Sequence, residues 1–346
     1  MQRICTSLAS NGFAITLTGR RLPDSKQLSV QAFSQKRLYC FFKTGFAFYA
    51  EYNLRLFFYL LFTKAEVICA IDLDTILPCY FVSVLKGIKR VYDAHELFTE
   101  QKEIVTRKTV HRFWLAIENF AVPKFKNGYT VNEFIAAEFK RRYHVQYKVI
   151  RNLPVLTPLP AIATRQEKFI IYQGAVNEGR SFETLIPAMK QVPAKLEIYG
   201  KGNAFEKVQQ LISNNGLENK VTLHGYVLPS ALKNITPSAY VAITLFEKTG
   251  LNQFYSLSNR FFDYIMAGVP QLCVNYPEYK AINDIYNIAY MIDDTTKETI
   301  AAALHTLLAN DDLYEQLKES CVIARERLNW GAEEKILIDF YKTIII

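Results

Sequence analysis

A histidine flanked by two acidic residues follows a strand-like run in the first half of the chain. His95 stands between Asp93 and Glu96, directly after the run at 90–92. Neighbouring carboxylates set the charge of an imidazole, so His95 could act as an acid, a base or a hydrogen-bond donor to a substrate hydroxyl. The alternative is a structural loop histidine. The position after a strand favours the functional interpretation.

An acidic pair, Asp72 and Asp74, follows the preceding strand-like run. Such a pair can hold a divalent cation that bridges a diphosphate, because hard oxygen ligands suit Mg²⁺ and Mn²⁺. Asp74 also precedes an apolar helical run that starts at Ile76, which makes it a candidate helix N-cap. The N-cap is the favoured interpretation, and no metal site is predicted.

Two glycine-containing loops lie in the second half of the chain, and each separates a strand-like run from a helical one. The first loop extends from Gly174 to Arg180, and the second is Gly200-Lys201-Gly202. Glycines allow close backbone approach, the helix that follows offers unpaired N–H groups, and Arg180 could clamp a phosphate. Ordinary tight turns between strand and helix are the alternative.

A third anion site is predicted at the start of a helix that ends at Gly268. Ser258 or Asn259 caps this helix, so its first amides can bind an anion while Arg260 adds positive charge. Asp263, one turn further on, is placed to accept hydrogen bonds from the two hydroxyls of a ribose. The alternative is a buried helix with an ordinary N-cap and a C-terminal glycine.

Strand-like and helical segments alternate along nearly the whole chain, which is typical of parallel βαβ units. Strands are expected at 13–18, 38–42, 67–70, 90–92, 128–131 and 147–150, and again at 169–172, 195–199, 220–223, 240–243, 270–274 and 289–292. Residues 151–163 carry three prolines and predict an extended linker. The pattern therefore predicts α/β domains at 1–150 and 164–328, with a last helix at 329–346.

Composition excludes several classes of protein. Half of the residues are hydrophobic and 21% are charged, so the chain is neither disordered nor fibrous. The six cysteines are dispersed, which favours reduced thiols over a zinc site or a disulfide framework. Neither a long uncharged apolar run nor a secretory signal is visible, so a cytoplasmic location is expected.

The net charge of +8 is concentrated in the first half of the chain, where residues 1–150 contain 22 Lys and Arg against 12 Asp and Glu. This asymmetry favours an anionic partner, either a phosphate-bearing substrate or lipid head groups. A solvated basic surface is the alternative. Nucleic acid is not predicted, because the basic residues form no recognisable binding motif.

Over residues 3–341 the chain resembles the retaining nucleotide-sugar glycosyltransferases of the GT-B fold, specifically group 1, or family 4. The segments that carry the resemblance are DLDTILP at 72–78, YDAHELFTE at 92–100, NLP at 152–154, YQGAVNEGRSFETLI at 172–186, YGKG at 199–202, LHGYV at 223–227 and LSNRFFDYIMAGVP at 257–270. The resemblance implies two doubly wound Rossmann-like domains facing across a cleft, with the last helix returning to the N-terminal domain.

The resemblance also implies roles for individual residues. Arg180 corresponds to the residue that binds the donor diphosphate, Ser258 and Asn259 to the phosphate cradle, Asp263 to the ribose carboxylate, and His95 to the acceptor-side histidine. Gly174, Gly200, Lys201, Gly202 and Arg260 complete the predicted nucleotide-sugar site. The nucleotide sugar is a substrate, and neither a cofactor nor a metal is expected, because protein cations and amides can neutralise the leaving diphosphate.

Four departures from the family pattern stand out. Tyr255 and Asp263 occupy the positions of a usual glutamate pair, and Ala175 replaces a basic residue, which leaves Arg180 to work with Lys201 or Arg260. The first helix, expected at 2–11, lacks the strand and glycine loop that precede it in the family. Either such a strand precedes Met1, or the first sheet lacks an edge and an acceptor loop.

The expected activity is transfer of a sugar, of the hexosyl type, from a nucleoside diphosphate sugar to a hydroxyl of a glycan or lipid-linked glycan, with retention, in cell-surface polysaccharide synthesis. The basic, aromatic stretch at 36–64 predicts peripheral contact with an anionic inner membrane. The alternatives are a non-catalytic partner subunit of the same fold and a GT-B nucleotide-sugar epimerase.

Overall fold

The computed structural model describes residues 1–23, 25, 27–159, 167–248 and 250–345. The chain divides into two compact units. Unit 1 is Met1–Arg151 together with Ala332–Ile346, and unit 2 is Asn152–Gly331. Every strand pair within the described residues is parallel, which confirms the predicted α/β class.

In unit 1, the described residues form two separate parallel sheets, with six α-helices before the last strand. The strands are β1 (Thr16–Arg21), β2 (Ser34–Tyr39), β3 (Val67–Ile71), β4 (Lys89–Ala94), β5 (Asn127–Thr130) and β6 (Lys148–Val149). The helices are α1 (Gln2–Ser10), α2 (Gly45–Phe62), α3 (Ile76–Lys86), α4 (Lys102–Val105), α5 (Lys108–Ala121) and α6 (Glu133–Tyr143). One sheet is β1-β2 and the other is β3-β4-β5-β6. The predicted first helix is confirmed. One predicted alternative was a single first sheet that lacks an edge strand. The described strands instead form two sheets, with β1 in one and β3 in the other.

The described residues of unit 2 form one sheet of six strands. These are β7 (Phe169–Gln173), β8 (Lys195–Tyr199), β9 (Val221–Gly225), β10 (Val241–Thr244), β11 (Gln271–Val274) and β12 (Ala289–Ile292). The helices are α7 (Phe182–Ala188), α8 (Phe205–Asn214), α9 (Pro229–Ile235), α10 (Leu251–Phe254), α11 (Asn259–Ala267), α12 (Pro277–Tyr286), α13 (Lys297–Ala309) and α14 (Asp311–Arg325). The strand order β12-β11-β10-β7-β8-β9 reverses direction between β7 and β10, and ligands bind beyond the carboxyl ends of strands at such a point.

The strands of unit 2 are short apolar runs because both faces of the sheet are covered. All residues of β7, β10 and β11 are buried. Their apolar side chains divide between a core shared with residues of α7, α11 and α13 and a second cluster that contains Phe169, Ile171 and Ala242. Parallel strands buried on both faces carry apolar side chains at nearly every position. A polar side chain at the end of such a strand, such as Gln173 in β7, is therefore a candidate for a role in a binding site.

Helix α11 forms as its sequence predicts. Ser258 is its N-cap residue, and Gly268 ends it in the left-handed conformation at φ +69°, which glycine adopts without steric cost. Phe261 and Ile265 are fully buried on its inner face. The Ser258 side chain makes no capping hydrogen bond, so the buried face and the glycine fix this helix, with Arg260 and Asp263 in its first turns.

Three further predictions concern connections between elements. Asp74 is not a helix N-cap: it lies in a short 3-10 turn, and Thr75 is the N-cap residue of α3. Residues 151–159 form neither helix nor strand, and the rest of the predicted linker, 160–163, lies outside the described residues. The predicted last helix is confirmed as α15 (Trp330–Ile345), which runs into unit 1.

All six cysteines are free, and five of them are buried. Across the described residues, no helix combines the length and the hydrophobicity that crossing a bilayer requires.

Candidate functional site

In unit 1, a buried carboxylate at the end of β4 holds His95. Asp93 is 1% exposed, and its Oδ1 lies 3.0 Å from Nε2 of His95. The Tyr129 hydroxyl donates to the other oxygen of Asp93 at 2.9 Å. Because both oxygens of Asp93 are engaged, the imidazole is held in one orientation at the carboxyl edge of the sheet.

This arrangement keeps His95 positively charged. Burial lowers the pKa of His95, but the hydrogen bond and charge of Asp93, together with the charge of Asp72, raise it to about 9. The side chain remains 32% exposed. At neutral pH His95 is therefore an imidazolium that can donate a hydrogen bond to an oxygen of a ligand.

Asp72 has a positioning role that its sequence context did not reveal. Its Oδ1 accepts a hydrogen bond from the main-chain N–H of His95 at 2.9 Å, and its own backbone has φ +55°. Burial is the main cause that raises the pKa of Asp72 to about 6, and the pKa of Asp74 to about 6 as well. Asp72 is thus ionised at neutral pH and fixes the loop that carries His95.

In unit 2, the two glycines of the second predicted phosphate loop are required by its contact with the first loop. A Cβ on Gly200 would lie 1.7 Å from the carbonyl oxygen of Gly174, and one on Gly202 would lie 2.3 Å from that of Val176. The main chain of Gly174 donates to Tyr199 O at 2.9 Å. The loops after β7 and β8 therefore support each other, and Lys201 between the two glycines is exposed, 5.9 Å from the ring centroid of Phe205.

Two arginines converge on one aromatic ring at the carboxyl ends of β7 and β10. The guanidinium of Arg180 lies 4.4 Å from the centroid of Phe246, and that of Arg260 lies 4.8 Å from it. Arg260 also lies 4.4 Å from the ring centroid of Tyr172. The structure thus brings Arg180 and Arg260 together and places Lys201 on a different ring.

Arg260 is a buried cation with unused hydrogen-bonding capacity. Its residue is 8% exposed, and its Nη1 has no hydrogen-bond partner among the described residues. Burial lowers the pKa of Arg260, but the nearby hydroxyls of Tyr172 and Tyr264 raise it above its ordinary value, so the charge persists. Burying a charge without a counter-ion is costly, and an anion bound at Nη1 would offset that cost.

The N-terminus of α11 is less open than predicted. The main-chain N–H of Ser258 donates to the Tyr279 hydroxyl at 3.0 Å, so this amide is not free to bind a phosphate. The side-chain oxygen of Asn259 accepts a hydrogen bond from Asn152 at 3.2 Å. The amide of the N-cap residue is therefore engaged within unit 2, and Arg260 supplies positive charge in the first turn of this helix.

Asp263 is oriented by a residue that the sequence analysis did not select. Its Oδ2 accepts a hydrogen bond from Nε2 of Gln173 at 3.3 Å, and Oε1 of Gln173 accepts one from the buried Thr236 hydroxyl at 2.6 Å. Gln173 is the polar last residue of the otherwise apolar strand β7, which is the signal that could have identified it. Phe246 was missed as well, although it follows β10 at the point where the sheet reverses.

The predicted site residues thus form two groups that belong to different units. His95 lies with Asp93 and Asp72 in unit 1. Arg180, Arg260 and Asp263 lie around the end of β7 in unit 2. Tyr255 follows α10, with its ring 5.3 Å from that of Phe254.

Comparisons with known proteins bear on both halves of the chain. Residues 162–321 match the family described as "Glycosyl transferases group 1". Over 142 residues, 40% of this chain, the sequence is 27% identical to the poly(glycerol-phosphate) alpha-glucosyltransferase of Bacillus subtilis (strain 168). That match spans 20% of the relative's length.

Solved structures are similar over nearly the whole chain. A glycosyltransferase from Rickettsia africae ESF-5 has a TM-score of 0.75 at 11% identity, over 99% of this chain and 93% of that one. HepE of Anabaena, in complex with UDP, has a TM-score of 0.70 at 12% identity, over 90% of this chain and 87% of that one. These likenesses confirm the predicted GT-B fold with two Rossmann-like domains. The family match, over residues 162–321, lies within unit 2 and supports the prediction of a glycosyltransferase.

Proposed function

We propose that the chain transfers a hexosyl unit from a nucleoside diphosphate sugar to a hydroxyl of a glycan or lipid-linked glycan, with retention of anomeric configuration, in the synthesis of a cell-surface polysaccharide. The observation that carries this proposal is Arg260. Its buried guanidinium has a nitrogen without a partner in the described part of the chain, next to Arg180 on the shared ring of Phe246. Such a pair fits the diphosphate of a donor.

On the donor side, the two arginines and Asp263 act on different parts of the nucleotide sugar. Arg180 and Arg260 stabilise the negative charge that develops on the leaving diphosphate, which allows departure without a metal ion. Asp263, held by Gln173, accepts hydrogen bonds from the ribose hydroxyls. The UDP bound to the HepE neighbour makes a uridine nucleotide the first donor to test.

On the acceptor side, His95 donates a hydrogen bond to an oxygen of the donor sugar or of the acceptor. Its charge at neutral pH, set by Asp93 and Asp72, makes it a donor rather than a base. A poly(glycerol-phosphate) glucosyltransferase among the relatives and the basic excess of residues 1–150 both support an acceptor that carries phosphate.

The experiment is thermal unfolding with UDP, GDP, ADP and dTDP at high concentration. A ligand present at about 100 times its Kd adds roughly 2.7 kcal/mol, which raises the Tm by several degrees. We expect one nucleotide to raise the Tm of the wild type but not that of Asp263→Ala. The control is Asp284→Ala, which removes an exposed carboxylate that pairs with Lys280 on α12. An unchanged Tm with all four nucleotides would contradict a donor site.

We also propose that unit 1 contacts an anionic membrane surface, where a lipid-linked acceptor would be presented. Leu54, Phe58 and Phe62 recur at four-residue spacing on α2 and are all exposed, as is Phe46 near its start. An exposed apolar stripe on a basic unit fits a bilayer with anionic lipids. The chain should sediment with phosphatidylcholine vesicles only when they contain phosphatidylglycerol, and Phe58→Ser/Phe62→Ser should weaken this. Equal recovery with and without phosphatidylglycerol would refute the contact.

A further inference from the structure

Ser181, in the loop after β7, has a backbone conformation that is unfavourable for a serine. It is the N-cap residue of α7, with φ +57° and ψ +28°. In this left-handed region a Cβ atom crowds the following carbonyl oxygen, and glycine avoids that contact. An N-cap serine ordinarily has an extended backbone, and its hydroxyl accepts a hydrogen bond from an amide of the first turn. Ser181 makes no such bond, so helix capping does not explain a serine at this position.

The hydroxyl of Ser181 is also buried without a partner. The residue is 1% exposed, and its Oγ has no hydrogen-bond partner in the described part of the chain. Its carbonyl oxygen, by contrast, accepts a hydrogen bond from the amide of Leu185 at 2.9 Å and so begins α7. A buried hydroxyl without a hydrogen bond costs free energy, in addition to the cost of the left-handed backbone. Costs of this kind concentrate at ligand-binding sites, and a ligand oxygen bonded to this hydroxyl would remove one of the two.

The residues on either side of this serine contact the two rings that hold Arg260. On one side, the guanidinium of Arg180 lies 4.4 Å from the ring centroid of Phe246. On the other side, the ring of Phe182 lies 4.7 Å from that of Tyr172. The guanidinium of Arg260 lies 4.8 Å from the first ring and 4.4 Å from the second. The serine therefore lies where the two arginines meet.

This junction needs a hydrogen-bond acceptor. Arg260 is 8% exposed, and its Nη1 is another buried donor without a partner among the described residues, so it is not bonded to the serine hydroxyl. A guanidinium can only donate hydrogen bonds, and a hydroxyl has one hydrogen to donate. A phosphate group offers several oxygens and accepts from both kinds of donor. One phosphate can therefore satisfy both groups.

We propose that Ser181 binds the diphosphate of the donor, with its hydroxyl donating to an oxygen of the phosphate group that Nη1 of Arg260 also contacts. The inference rests on the proposed function, and it adds an uncharged donor to the two arginines. The hydroxyl accounts for a serine at a position where glycine would fold more readily. A purely structural serine makes the opposite prediction, because its replacement by glycine would relieve the backbone and leave the anion bound as tightly as before.

The test is calorimetric titration of UDP into the full chain and into two variants. Ser181→Gly removes the hydroxyl and relieves the backbone, so we expect a higher Tm for the free protein and a Kd for UDP raised about tenfold. Ser181→Ala removes the hydroxyl but keeps the Cβ atom, so the same rise in Kd should accompany a smaller gain in Tm. An unchanged Kd in both variants would overturn the inference and leave the proposed donor site standing. A wild type that does not bind UDP would contradict the proposed function itself, and the inference with it.

Two controls separate a lost phosphate contact from damage to the loop. Asn287→Gly relieves another left-handed residue of unit 2, which is exposed at the end of α12 with φ +51°, and it should leave the Kd for UDP unchanged. Uridine carries no phosphate, so its Kd should be the same for the wild type, Ser181→Gly and Ser181→Ala. A rise in the uridine Kd as large as that for UDP would overturn the inference, because a disturbed loop would then account for the loss.

Discussion

The two units differ in how completely the described residues build their sheets. Unit 2 has six consecutive parallel strands, and its charged side chains at the carboxyl end of β7 are held by neighbours from several elements. Unit 1 has strands in two groups, with a cavity between them. His95 nevertheless keeps two carboxylate partners. The comparison indicates that the described residues of unit 2 hold the charged groups at the end of β7 by themselves, whereas Tyr129, which holds Asp93 in unit 1, lines a cavity.

The largest effect is expected from removing the buried cation of unit 2. Arg260→Gln should weaken UDP binding about 1,000-fold, or about 4 kcal/mol, because the buried charge that meets the anion is lost. Calorimetric titration measures the Kd. Lys280→Gln, which removes an exposed cation of the same unit, should leave the Kd within about twofold. A wild-type Kd in Arg260→Gln would mean that the anion binds elsewhere.

A second test concerns the contact between the two loops of unit 2. Gly200→Ala should lower the free energy of unfolding by about 3 kcal/mol, because its Cβ would meet the carbonyl oxygen of Gly174. Gly216→Ala is the matched control: it also has positive φ but meets open space, so only about 1 kcal/mol is expected. Chemical denaturation measures both. Equal losses would show that the loops do not depend on this close approach.

In unit 1, the raised pKa of His95 makes stability depend on pH. Because folding raises this pKa from 6.5 to about 9, the stabilisation is complete below pH 6.5 and is lost as pH rises through 9. Asp93→Asn should return the pKa toward 6.5 and remove this alkaline loss. NMR titration of the imidazole and urea unfolding across this range measure the two effects. A His95 pKa that stays near 9 in Asp93→Asn would contradict the role of Asp93.

The smallest effect is expected at the residue that orients Asp263. Gln173→Met removes the hydrogen bond to Asp263 and should weaken nucleotide binding about tenfold, or about 1.4 kcal/mol. Gln191→Met, at an exposed position of unit 2, is the control. If the two variants bound UDP equally well, Gln173 would have no part in holding Asp263.

Much of the fold was predictable because buried parallel strands are apolar runs. All twelve predicted strands are present, and β8 and β12 have the predicted bounds. The least accurate are β1 and β2, which begin about three residues later and four residues earlier than predicted. Their residues are partly exposed and β2 contains Lys36 and Arg37, so the apolar pattern is weak there.

The candidate site was predictable in its residue types but not in its contacts. Strand ends and helix starts predicted Arg180, Arg260 and Asp263. The shared ring of Phe246 and the bond from Gln173 to Asp263 join residues far apart in sequence, and no local pattern encodes such a contact. The Asp74 cap failed because a 3-10 turn over Leu73–Thr75 leads into α3, so that Thr75 holds the N-cap position.

The most direct test of the central claim is release of the nucleoside diphosphate from a panel of nucleotide sugars, with a glycan or poly(glycerol phosphate) acceptor. The account predicts that the wild type consumes one donor and forms an α-linked product from an α-linked sugar. Arg260→Gln should do neither, and Lys280→Gln should behave as the wild type. Nucleotide binding by the wild type without release from any donor would contradict the account and favour a non-catalytic partner subunit.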